Sequence, residues 1–228
     1  MTTIAITWSP THCTIMSESG ITDESFHTMP GMNKIVRQNE WLIAVAGADR
    51  SCDVLQYITK YPAVPATLKN ETDDMQWYKW IVKRVIPIIR KSAQQELTLD
   101  TKDGVAEIPE SELILITHAR AFGISSTLGV SKLEPYWAVG SGGSIALGAL
   151  AAYTNNQDWK TNHTHYCYKS VEAATKHDSF SHKPIRGYTS LPNGKIKQWD
   201  SKDHASTVDH SQRQATDAQP TKKYNKQR

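Results

Sequence analysis

The sequence predicts an α+β protein in which two antiparallel sheets lie between layers of helices. Three observations carry this expectation. Strand-like runs gather at the start, middle and end of the chain, helix-periodic runs gather in two blocks between them, and strands and helices never alternate singly as a parallel sheet requires.

Taken in order, Thr3 to Trp8 is β-rich and begins at once, and His12 to Met16 follows Ser9-Pro10-Thr11 as the second arm of a hairpin. A second hairpin pairs Lys34 to Arg37 with Trp41 to Ala46 across the polar residues Gln38-Asn39-Glu40. Ala48 to Tyr61 then places Val54, Leu55 and Ile58 at helical spacing, and Asp74 to Leu97 does the same with Tyr78, Ile81, Val82, Val85, Ile88 and Ile89. Pro87 should kink or restart this second helix, because its ring removes a donor and crowds the preceding turn. Asp100 to Pro109 reads as a polar loop.

Strands return at Glu112 to His118, Arg120 to Ser125 and Tyr136 to Val139, ahead of Gly140-Ser141-Gly142-Gly143. The Ala/Leu-rich run Ser144 to Tyr153 reads as a helix, Thr154 to His165 as an exposed loop, and Ser170 to His177 as a short helix. Ile185 to Leu191 and Lys195 to Trp199 close the order as a hairpin around Pro192-Asn193-Gly194.

Composition bounds the function. The 228 residues suffice for one sizeable core, expected over 1–199. Residues 200–228 hold few large apolar side chains, which predicts a flexible tail or one that orders on a partner. A net charge of +3 from 26 basic and 23 acidic residues is too balanced for a nucleic-acid or anionic-membrane footprint. Cys13, Cys52 and Cys167 are odd in number and far apart, which suits free thiols in a reducing cytoplasm better than a disulfide framework or a zinc site. No apolar run is long enough for a membrane helix, and no secretory leader opens the chain. His163, His165, His177 and His182 match no common metal spacing, and neither a metal nor a cofactor is expected. Trp77, Tyr78 and Trp80 read as core or interface aromatics.

The chemistry is expected at the chain's start. Thr2 follows Met1, and a small residue there permits an aminopeptidase to remove the initiator. A terminal threonine joins a hydroxyl nucleophile to its own α-amine, whose pKa of about 7.7–8.0 leaves part of it neutral and basic. Met-Thr starts are common, so this alone decides nothing.

Further residues change that. The run Gly31-Met32-Asn33-Lys34-Ile35-Val36-Arg37, followed by Trp41-Leu42-Ile43-Ala44-Val45-Ala46-Gly47, resembles proteasome β-subunits and the bacterial HslV peptidase. The resemblance spans about 2–191 and implies a role for each matching position. Thr2 would be the nucleophile and Lys34 the catalytic lysine. Glu18 stands where the family usually has an aspartate that pairs with that lysine. Gly47 matches the glycine whose N–H meets the oxyanion, and Gly-Ser-Gly-Gly at 140 to 143 puts Ser141 at the site serine. Asp178-Ser179-Phe180-Ser181, after an Ala-Ala helix, supplies the Asp-x-x-Ser pair. Singly, each of these residues is more often a surface charge or a turn; their joint order is what carries the likeness.

The resemblance implies a four-layer αββα sandwich and a threonine-type peptidase working through an acyl-enzyme. It also implies a homo-oligomeric ring, stacked in two layers, that encloses the Thr2 sites. Unfolded polypeptide or peptide would be the substrate and an ATP-driven unfoldase a partner. The absence of a propeptide before Thr2 suits the HslV-like branch. Two alternatives stand beside this: a non-catalytic ring or scaffold protein, and an amidase of small molecules sharing fold and nucleophile but not the ring.

Overall fold

The computed structural model describes residues 2–22, 28–30, 33–102 and 105–199. Met1, Gly31, Met32 and the tail 200–228, each named above, lie outside the described residues. The first elements are strands: β1 (Thr3–Ser9), β2 (His12–Ser17), the short β3 (Gly20–Thr22) and β4 (Thr28–Pro30), β5 (Ile35–Gln38) and β6 (Trp41–Gly47). A helical block follows, comprising α1 (Asp49–Asp53), α2 (Ala66–Lys69), α3 (Asp74–Trp80) and α4 (Ile86–Glu96). Next come β7 (Asp100–Lys102), β8 (Val105–Glu107), β9 (Ser111–Thr117), β10 (Arg120–Ile124), β11 (Val130–Lys132) and β12 (Tyr136–Gly140). The described residues end with α5 (Gly143–Tyr153), α6 (Trp159–His177), β13 (Arg186–Ser190) and β14 (Ile196–Trp199).

Two five-stranded antiparallel sheets form, in the orders β12-β1-β2-β13-β14 and β11-β10-β9-β6-β5. Their facing sides bury Ile4, Ile6 and Ile15 of the first sheet against Leu42, Ala44, Ile114 and Ile116 of the second. The outer side of the first sheet packs Ala5 and Met16 on Ala146, Leu150, Cys167 and Val171 of α5 and α6. The outer side of the second packs Trp41, Ile43 and Leu115 on Trp77, Ile81, Val85 and Ile89. Helix, sheet, sheet, helix is thus the order of layers, as expected. Because both faces of β1 are covered, its alternate residues Thr3, Ala5 and Thr7 are as buried as Ile4 and Ile6. At about 1.5–3 kcal/mol for each fully buried large aliphatic side chain, these three interfaces can hold the chain's first residues rigidly.

Local signals account for most boundaries. Asp73 caps α3 by accepting a bond from Met75 N at 2.8 Å. A π-helical stretch, Ile81–Val85, joins α3 to α4, whose first turn contains Pro87. The expected restart is therefore present, with the extra residue per turn absorbing the proline's missing donor. A second π-helical stretch, Val54–Ile58, prolongs α1.

Two expectations are corrected. The polar loop over 100–109 contains the hairpin β7–β8, in which Thr101 pairs with Ala106. The loop over 154–165 is shorter, because α6 begins at Trp159 and merges two helical pieces across a break at Asn162. His163 and His165 therefore sit on a helix, and His163 is buried, with Nδ1 at 3.0 Å from Thr7 Oγ1 and Nε2 at 3.1 Å from Ser9 Oγ. Its polar look in the sequence hides an inward-facing side chain whose partners are hydroxyls of β1.

Candidate active site

The site is built where β1 begins. Thr3 pairs with Gly140 at the end of β12, and Ile4 pairs with Ser17 at the end of β2, so the first residues lie between two strand ends. Gly140 has φ of +91°, and a Cβ there would stand 1.9 Å from the Thr2 carbonyl oxygen. A Cβ on Gly142 would stand 2.1 Å from Thr3 Oγ1. The Gly-Ser-Gly-Gly run is thus shaped by the close approach of Thr2 and Thr3 as well as by the turn into α5.

Glu18 is the buried node of this region. Its Oε1 accepts Thr3 N at 3.2 Å and the ammonium of Lys34, while Oε2 accepts Gly20 N at 2.7 Å and His182 N at 3.1 Å. Both members of the Glu18–Lys34 pair are buried. Four converging donors offset the cost of removing a carboxylate from water. They also explain how the longer acid is accommodated: its extra methylene reaches the backbone of residues 20 and 182 while Lys34 is retained. Burial draws the Lys34 ammonium below its ordinary pKa, and the adjoining Glu18, with Asp178 further off, opposes that fall.

A second cluster forms around Asp178, at the C-terminal end of α6. Its Oδ2 accepts Ser141 Oγ at 2.9 Å and Ser181 Oγ at 2.6 Å. Ser141 Oγ also lies 3.3 Å from the Thr2 carbonyl, and Ser181 Oγ lies 2.5 Å from Thr3 Oγ1. Asp178, Ser141 and Ser181 therefore form one network that grips Thr2 and Thr3. Thr3 belongs to the site on this geometry and was not singled out from the sequence. Its place directly after Thr2 is the signal the sequence offers.

Gly47 ends β6 opposite Ser111. A Cβ there would fall 1.8 Å from the Glu110 carbonyl oxygen, which also accepts Ala48 N at 3.2 Å. Glu110 itself has φ of +39°. The turn into β9 is thus seated directly on Gly47. Thr2, Gly47, Glu110, Gly140 and Ser141 border one cavity of about 610 Å³. Every residue anticipated from the sequence thus falls in one connected region: Thr2, Gly47 and Ser141 on the cavity wall, Glu18, Lys34, Asp178 and Ser181 in the two networks behind it.

Competing chemistry is limited. Cys52 is pushed up to about 11 by burial and Cys167 to about 12, so neither thiol is ionised near neutrality. Among the described residues no group of three or more His, Cys, Asp or Glu is placed to hold a metal ion, and no helix is long and apolar enough to cross a membrane.

Comparison with solved structures identifies the class of fold. The chain superposes on BPH of Thiobacillus denitrificans with a TM-score of 0.65 and 17% identity, covering 83% of this chain and 97% of that one. The same protein in complex with epoxomicin gives a TM-score of 0.64 at 17% identity, with 83% and 98% covered. The eukaryotic HslV of Trypanosoma brucei gives 0.58 at 16%, with 83% and 99% covered. No protein-family model and no curated protein sequence matches the chain. Its fold is that of the HslV and BPH structures, an αββα sandwich of the proteasome type.

Proposed function

We propose that the protein is a threonine-type amide hydrolase acting on peptides, with Thr2 as nucleophile once Met1 has been removed. One observation carries the reading. The buried Glu18–Lys34 pair and the Asp178–Ser141–Ser181 cluster both close on the first residues of β1, beside a cavity that Thr2 and Gly47 share.

In the proposed reaction the free α-amine of Thr2 takes the proton of its own hydroxyl as Oγ bonds to the substrate carbonyl carbon. The Lys34 ammonium favours the developing alkoxide by its charge, and Glu18 holds that lysine in place. The Gly47 backbone N–H meets the oxyanion of the tetrahedral intermediate. Breaking the C–N bond sends the proton to the leaving amine and leaves an ester on Thr2. Water adds to that ester, the same amine taking its proton, and the acid product leaves with Oγ–H restored. Ser141 and Ser181 fix the geometry through Asp178. A homo-oligomeric ring around these sites belongs to the same reading and is measurable by native mass spectrometry.

The test has two parts. Intact mass of the purified protein should show the loss of Met1. Epoxomicin, the ligand of the BPH complex, should then add to the wild type and not to Thr2→Ala, and the same substitution should abolish hydrolysis of a fluorogenic peptide. Retained Met1, or labelling that survives Thr2→Ala, would overturn the assignment.

A further inference from the structure

The cavity beside Thr2 has a wall that the proposed chemistry does not use. Glu107, Glu110 and Glu112 border it, and among the described residues no lysine or arginine does. Among the described residues none of these three has a basic partner, although Glu40, Asp74 and Glu172 elsewhere on the surface are paired with lysine or arginine. Glu107 accepts only the hydroxyl of Ser126 among the described bonds. Three carboxylates around one concavity raise the local concentration of cations.

The cavity also continues. Glu112 borders a second hollow of about 150 Å³, and the bordering residues step along the same strands: Ser126 gives way to Ser125 and Ile124, Ser111 to Leu113, and Gly140 to Val139 and Trp137. This second compartment is mostly apolar, bordered by Leu113, Ile114, Ile124, Leu133 and Val139. Trp137 is 43% exposed at its rim, an unusual cost for the largest apolar side chain. β12, which forms one wall, is the outermost strand of its sheet, and among the described residues nothing pairs with its outer side. An unpaired strand beside a groove offers main-chain donors and acceptors to an extended chain, with adjacent pockets reading its side chains.

We propose that an extended peptide segment of the substrate lies along β12 from Thr2 towards Trp137. A lysine or arginine side chain sits among Glu107, Glu110 and Glu112, and a bulky apolar side chain lies against Trp137. Alternate side chains of an extended segment face the same way, so the two that enter this groove stand an even number of positions apart; the overlap of the two hollows at Glu112 sets the apolar side chain roughly two positions beyond the basic one. The inference rests on the reading of Thr2 as the reacting residue, and it names the class of peptide which that residue meets.

The test uses full-length protein carrying Thr2→Ala, so that nothing is turned over, and fluorescein-labelled hexapeptides followed by anisotropy. A peptide with lysine near one end and phenylalanine two positions on should bind roughly ten-fold more tightly than its glutamate-for-lysine counterpart. Glu110→Gln with Glu112→Gln should cut that preference several-fold, and Trp137→Ala should remove the preference for phenylalanine over serine. Equal binding of the lysine and glutamate peptides overturns the groove, as does an unchanged preference in both variants. Epoxomicin labelling of the wild type separates the two readings. An adduct beside indifferent peptide binding removes the groove and keeps the Thr2 chemistry, while selective binding without an adduct does the reverse.

Discussion

Replacing Glu18 by glutamine perturbs the node on which the candidate site is built. Glutamine has the same shape, but one of its two ends is an –NH2 that cannot accept a hydrogen bond. If that end faces Gly20 N and His182 N, two buried donors lose their acceptor, at about 1–3 kcal/mol each. In either orientation the buried Lys34 ammonium loses the carboxylate charge beside it, a loss of about 3–5 kcal/mol. Either orientation therefore predicts a destabilisation of at least about 3 kcal/mol, or roughly 6 °C or more in Tm for a chain of this size. Urea denaturation with a shared m-value is the assay. Adding Lys34→Met to the glutamine variant should recover part of the loss, because no charge is then left buried. Glu18→Asp keeps the charge but withdraws the carboxylate by one methylene, which should cost about 1–2 kcal/mol as the bonds to residues 20 and 182 lengthen. A Glu18→Gln protein within 1 kcal/mol of the wild type would refute the account of Glu18 as a four-donor node.

Two further outcomes follow from the geometry. Gly47→Ala would place a methyl against the Glu110 carbonyl and should destabilise by about 2 kcal/mol or more, read as a fall in Tm; an unchanged Tm would mean that the turn into β9 is not seated on this residue. His163, stacked on His12 with ring centroids 4.1 Å apart, is held by burial at a pKa of about 4 against an ordinary 6.5. The native state therefore favours the neutral ring, and that stabilisation is complete above pH 6.5 and lost as the pH falls towards 4. The loss should reach up to about 3 kcal/mol relative to His163→Gln, measured as diverging urea midpoints between pH 7 and 4; parallel curves would exclude His163 as the source.

The layers were legible in the sequence because period-2 and period-3.6 patterns survive wherever one face meets a core, as in Ile4 and Ile6 or Ile81, Val85 and Ile89. The errors fell where polar residues turn inward or pair locally. His163 looks like loop composition, yet its ring is satisfied by Thr7 and Ser9, strand residues far away in sequence. The β7–β8 hairpin carries its own signal, Asp103-Gly104 between two short runs, but those runs lack the alternating apolar residues that mark a strand on a core. The charged and hydroxyl residues of the candidate site are proposed from their joint order along the chain, which the family resemblance supplies, and the structure brings them close together. The backbone donors of Gly20 and His182 could not be named in that way, because every residue but proline carries an N–H and only the fold aims it.

The bond between Thr3 and Ser181 joins residues 178 positions apart. During synthesis Thr2 and Thr3 are among the first residues to leave the ribosome, but Ser141, Asp178 and Ser181 are among the last of the folded part to follow. Closing so long a loop is slow and comes late in folding, since its entropy must be met before the contact repays it. The contacts around Thr2 and Thr3 are therefore assembled only on a chain that is already complete through residue 181. A truncated or stalled product carries Thr2 and Thr3 without the residues that hold them, so on the proposed reading the fold itself would delay activity until synthesis of the domain is finished.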